Sequence, residues 1–169
     1  MKYQLAYTGE QMDDTARHTL TPDYFGYRVD DDVGDTEIIG TVDTYVTITP
    51  DVSHLIPFIT DEFSYNSTTG VITYEGSGEF YFLSGSVSLD YTVINTIVHF
   101  GIAVNGTIVG ESSVKLESST AIATLSLNTP FNLSNGDEIE IQVKADKTGT
   151  MIYYHIQGLI REVKPSLHT

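Results

Sequence analysis

Between residues 131 and 143 the sequence reads FNLSNGDEIEIQV. Asn135-Gly136 marks a tight turn, because these two residues accept the positive backbone angles that such a turn needs. Beyond it Ile139, Ile141 and Val143 alternate with Glu138, Glu140 and Gln142, the period of a strand with one face in a core and one in water. The same grammar fills most of the chain. Val, Ile, Thr, Tyr and Phe dominate, and Gly, Asn, Ser and Asp punctuate them. Apolar stretches at 41–49, 55–63, 71–91, 96–104 and 151–163 are separated by turn signals, of which Asn105-Gly106 is the strongest hairpin mark. No helical period follows residue 20, so the crossover helices of a parallel sheet are missing. The expected fold is all-β, an antiparallel jelly-roll sandwich of about ten strands.

One helix is expected, near the start, in TGEQMDDTARHTL. Thr8 caps its first turn with Gln11 three residues on, and Glu10 suits the positive end of the helix. Met12, Ala16 and Leu20 fall four apart as one narrow apolar stripe, which needs a covering surface. Residues 21–36, with Pro22, Gly26, Gly34 and the acidic run Asp30-Asp31-Asp32 and Asp35, read as a loop or linker. The expected organisation is a helix and linker over 1–38, serving as an anchor, and a jelly roll over 39–169.

At 169 residues the chain can bury a core without staples, and it has no cysteine for disulfide or thiolate chemistry. Its formal charge is −15, from 23 acidic and 8 basic residues. That balance repels phosphate backbones and anionic lipids, so neither nucleic acid nor a membrane is expected as a partner. The start lacks the apolar run of a secretory signal, and no window is apolar enough to span a bilayer.

Two strands depart from clean alternation. In GEFYFLSG, Phe80 and Phe82 face one way and Tyr81 and Leu83 the other. In MIYYHIQGLI, strict alternation sets Ile152, Tyr154, Ile156 and Ile160 against Met151, Tyr153, His155 and Leu159. A strand that is apolar on both faces must be covered on both. The sandwich core covers one. Self-association covers the other, with Phe80, Tyr81, Phe82, Tyr153, His155 and Leu159 expected at the contact; the alternative cover is the first 50 or so residues of the same chain.

The segment TGVITYEGSGEFYFLSGSVSL resembles the core motif of the globular head of complement's first component, with Gly78, Phe80 and Phe82 at its glycine-any-aromatic-any-Phe positions. VNGTIV resembles the hairpin that follows. LSNGDEIEIQV resembles the family's Leu-any-any-Gly-Asp turn, through Leu133, Gly136 and Asp137, and HIQGLI resembles the closing strand. The tumour necrosis factor family shares the jelly roll and these last two motifs. The resemblance implies a compact homotrimer packed through the sheet that holds the Gly-any-aromatic and closing strands. The chain departs from the animal family in having no collagen-like stalk and no Trp. A short capped helix ahead of a trimeric jelly roll is similar to bacteriophage head fibres, capsid decoration proteins and tail appendages. The function this implies is a virion structural protein. Met12, Ala16 and Leu20 would then dock on another virion protein, and the alternative is a module that binds a host glycan or receptor.

Catalysis is not expected. The histidines at 18, 54, 99, 155 and 168 show no HxH or HExxH spacing, no serine sits in GxSxG, and no Gly-rich phosphate loop occurs. No cofactor or metal is expected. The Asp30–Asp35 run lacks the EF-hand spacing and reads as a solvated loop. The Asn-any-Ser/Thr sites at Asn66, Asn105 and Asn132 read as chance, and the eleven tyrosines as core or interface residues rather than sugar platforms.

Overall fold

The computed structural model describes residues 24–49, 55–59, 62–77, 79–117 and 122–162. These hold eleven strands and no helix. They are β1 (Tyr24–Ile39), β2 (Val46–Thr47), β3 (Leu55–Ile59), β4 (Phe63–Asn66), β5 (Val71–Tyr74), β6 (Glu79–Tyr91), β7 (Thr96–Val104), β8 (Thr107–Leu116), β9 (Ala123–Leu133), β10 (Glu138–Ala145) and β11 (Gly149–Glu162). One sheet runs β3-β1-β11-β6-β9 and the other β4-β5-β10-β7-β8, with β2 also paired to β10. Every pairing is antiparallel, which gives the expected jelly-roll sandwich.

Alternation explains which residues meet between the sheets. From the first sheet Tyr81, Leu83, Val87 and Leu89 of β6, Leu125 and Phe131 of β9, and Met151, Ile156 and Ile160 of β11 are buried. From the second, Val98, Phe100 and Ile102 of β7 and Ile139, Ile141 and Val143 of β10 oppose them. At one end Phe63, Tyr74 and Tyr81 pack ring to ring with centroids 5.2 to 5.6 Å apart. The Tyr81 hydroxyl lies 3.2 Å from that of Tyr74 and donates to Glu62 at 3.3 Å, so the rings are buried without stranding their oxygens. Gly76 is required here, because any side chain would strike the Tyr74 hydroxyl and the Glu62 carboxylate.

The turn before β10 forms with only Gly136, and not Asn135, at positive φ. Gly136 takes φ 88°, and its N–H donates to the Tyr74 carbonyl at 2.7 Å. The Asp137 carboxylate accepts from the Ser134 N–H at 2.8 Å and from the Asn105 side chain at 2.7 Å. Asn105 and Gly106, at φ 50° and 73°, make the hairpin between β7 and β8.

The N-terminal reading needs correction. Residues 24–36, expected in a loop or linker, belong to β1, which pairs with β11 on one side and β3 on the other. The expected boundary at residue 38 therefore falls inside a strand. Turn-forming residues mark only an irregularity within it, since register is lost between Asp30 and Asp35 opposite β11. The Leu55–Phe63 stretch is split between two strands, with Pro57 tolerated because β3 is a sheet edge. The expected helix with Met12, Ala16 and Leu20, and Gly78 of the resemblance motif, lie outside the described residues.

Candidate functional site

The outward face of the β3-β1-β11-β6-β9 sheet carries three of the six contact residues that the sequence singles out, Phe80, Phe82 and His155. Along β6, Phe80 is 43% exposed and Phe82 half-buried, followed on the same side by Ser84, Ser86 and Ser88. Their partners across the ladder on β9 are Asn132, Pro130, Asn128, Ser126 and Thr124, all exposed. The Ser88 and Thr124 hydroxyls are 3.0 Å apart. On the other side of β6, β11 contributes exposed Arg161 and Gln157 and half-buried His155, in register with Phe82, Ser86 and Ser88.

Two expected contact residues do not reach this face. Tyr81 is fully buried, because it alternates with Phe80 and Phe82 and points inward. Tyr153 is fully buried too, with its hydroxyl 3.5 Å from the Thr49 carbonyl. The cause is a bulge. Tyr153 pairs with Leu89 but His155 pairs with Ser88, so Tyr154 is an extra residue in β11. One inserted residue reverses the phase of all that follows. Met151 and Tyr153 therefore share the core with Ile156 and Ile160, while Tyr154 and His155 stay half-buried and Gln157 faces out. Phe80, Phe82 and His155 remain on the outward face. Leu159 pairs with Ser84 in register; its side chain lies outside the described atoms.

In the middle of this face lies an open groove of about 380 Å³, lined by Ser84, Gly85, Ser86, Ser126, Leu127, Asn128 and Gln157. Between Phe80 and Ser88 on β6 and between Thr124 and Asn132 on β9, no outward-facing side chain is charged. On β1, register places Arg28 opposite Gln157 and Asp30 opposite His155.

The outward face of the second sheet is different, and the sequence reading did not single it out. Glu111 of β8 gathers three partners there. The Tyr45 hydroxyl donates to it, His99 Nδ1 lies 2.7 Å from Oε1, and Lys144 Nζ lies 3.5 Å from Oε2. Lys144 also sits 4.5 Å over the Tyr45 ring. The Tyr45 hydrogen bond, helped by His99 and Lys144, holds the Glu111 carboxyl below its usual range against a desolvation cost. Burial, and next the Glu111 carboxylate, push the Tyr45 phenol well above its usual range, so the proton stays on Tyr45. Nearby, Glu140 accepts hydrogen bonds from Thr47 and from Gln142, the latter at 3.1 Å. Gly101 supplies the space, since a Cβ there would come within 3.1 Å of the Tyr45 ring. These contacts bind the segment 41–49 across the second sheet, along with main-chain bonds from Asp43 to Ala145 and from Ile48 to Ile141.

A second bulge hid this cluster. An uninterrupted Asn105-Gly106 hairpin pairs Phe100 with Glu111, which puts Glu111 on the core side. The register slips between Ile102 and Ala103, so Gly101 pairs with Glu111 and His99 with Ser113. Among the described residues no group of three or more His, Asp or Glu is placed to hold a metal ion, and no helix is long and apolar enough to cross a membrane.

No family model and no curated protein matches the chain. Solved structures do. The crystal structure of murine APRIL matches 82% of this chain and 98% of its own, with a TM-score of 0.53 and 13% identity. The structure of Eiger TNF from S. frugiperda matches 87% of this chain and 98% of its own, with a TM-score of 0.50 and 10% identity. The fold is a tumour necrosis factor-like jelly roll.

Proposed function

We propose that the chain is a non-enzymatic structural protein of a virus particle. In this reading it assembles as a homotrimer through the outward face of the β3-β1-β11-β6-β9 sheet, and residues 1–23 join it to another virion protein. Charge is the observation that carries the assembly. Each copy has a formal charge of −15, so two copies repel unless they meet where carboxylates are absent. The outward rows of β6 and β9 from Phe80 to Ser88 and from Thr124 to Asn132 are such a place, and they present the exposed Phe80 ring. The opposite face carries Glu111 and Glu140 and is already covered in part by segment 41–49. The particle attachment is supported by the sequence spacing of Met12, Ala16 and Leu20, four apart and ahead of β1.

Sedimentation equilibrium of the full chain tests the assembly, with three chains of 18.6 kDa each expected per particle in solution. A monomer at high micromolar concentration contradicts it. Removing residues 1–23 should leave the number of chains per assembly unchanged and abolish attachment to the virus particle. A truncated protein that still decorates particles contradicts the anchor.

The end formed by Asn105, Ser134, Asn135 and Asp137 favours a second reading, recognition of a host glycan or receptor. Its exposed polar side chains are fixed in place: Asn135 donates to the Glu75 carbonyl at 2.7 Å, and the Asn105 side chain bridges to Asp137 and to the Glu138 N–H. Glycan-array or cell binding lost in Asn135→Ala supports it; no binding by the intact assembly removes it.

A further inference from the structure

The face proposed for self-association is not uniform, and its relief says how copies meet. At one end stand large side chains: Phe80 and Phe82 on β6, and Pro130, which pairs with Phe82 across the ladder. At the other end are half-buried Ile152 and Tyr154 on β11. Between them the surface dips into the groove of about 380 Å³, where Ser84, Ser86, Ser126, Asn128 and Gln157 stand around Leu127 and Gly85. Contact between copies is made first by what protrudes. Three such faces brought together on their projecting ends leave their hollows facing one another.

We infer, on the premise that the chain self-associates through this face, that the assembly is clamped by Phe80, Phe82 and Pro130 around a water-filled chamber. Ser84, Ser86, Ser126, Asn128 and Gln157 from every copy line it. No single copy completes it, because one groove is open to solvent. Its chemistry suits water. Hydroxyls and amides both donate and accept, and an ordered water needs roughly two to four polar partners in a roomy site. An apolar partner surface does not suit it, since it would strip water from five hydrogen-bonding side chains without replacing those bonds. The charge of −15 per copy argues that the occupant of this face is a second copy, since the outward rows of β6 and β9 present no carboxylate and the exposed charge in register with Phe82, on Arg161, is a cation that another acidic copy tolerates.

The test measures the association constant of the full chain by sedimentation equilibrium, with each variant's fold checked by circular dichroism. Ser86→Gln and Ser126→Gln reach into the water of the chamber and should leave the association constant within about threefold of the wild type's. Phe82→Asp should weaken it by at least a hundredfold. If the glutamine variants weaken association by tenfold or more, while the wild type is a trimer that Phe82→Asp dissociates, the centre is packed directly and the chamber is overturned, with the assembly left standing. If the wild type stays monomeric, assembly and chamber fall together. Should either glutamine variant misfold, Ser84→Gln takes its place with the same expected result.

Discussion

The two outward faces of the sandwich use the same strand alternation for opposite ends. On the second sheet, Glu111 and Glu140 are each held by several partners, and the chain's own segment 41–49 lies over them. On the first sheet, β6 and β9 present hydroxyls, amides, a proline and two phenylalanines, with no charge from Phe80 to Ser88 or from Thr124 to Asn132. A chain with 23 carboxylates has placed none of them in that stretch. On the proposed reading, one face is finished within a single copy and the other is completed by further copies. Charge that is locally neutralised ties the chain to itself; rows without carboxylates are open to a copy that carries the same net charge.

The sharpest way to break the comparison is to confuse core with face. Tyr153→Asp should unfold the domain rather than dissociate it, because it puts a carboxylate and a cavity into the core; a loss of about 3–5 kcal/mol is expected from the cavity alone. Urea denaturation checks this, and a folded but monomeric variant would return Tyr153 to the contact. Phe82→Asp should do the reverse. Its melting temperature in the dissociated state should match that of the dissociated wild-type chain, while association falls. Tyr45→Phe breaks only the second face, at a cost of about 0.5–1.5 kcal/mol for one hydrogen bond, and should leave the assembled mass unchanged. The smallest effect is in pH. Glu111 titrates below its unfolded value of 4.5, so its contribution is complete above that value and is lost as pH falls through the lower folded one. Acid titration of Glu111→Gln should therefore show a shallower loss of stability below pH 4.5 than the wild type, and parallel curves would deny the carboxylate its role.

Much of the architecture was legible because alternation and turn chemistry are local. The Asn135-Gly136 and Asn105-Gly106 turns, the inward row of β10 and the setting of Phe80 and Phe82 against Tyr81 and Leu83 on β6 follow from the residues themselves, though which of those two rows faces out does not. What could not be read depends on pairing. The extra residue at Tyr154 turns Tyr153 inward, and the slip between Ile102 and Ala103 brings Glu111 out beside His99. The first bulge has no glycine or proline to announce it in YYHI; the second, at Val109, is marked only by the neighbouring Gly110. β1 escaped for the opposite reason. Its Asp, Gly and Pro-flanked sequence has weak strand preference, and pairing on both sides with β11 and β3 overrides it.

The central claim, that copies meet on the face whose β6 and β9 rows carry no charge, is open to direct measurement because the chain has no cysteine of its own. Asn132→Cys on the first face and Ser113→Cys on the second each introduce one thiol at an exposed strand position. Labelled with a bulky maleimide at native concentration, Ser113→Cys should react at the rate of a free thiol, and Asn132→Cys should be protected until dilution dissociates the assembly. Equal, unprotected rates at both positions would contradict the account.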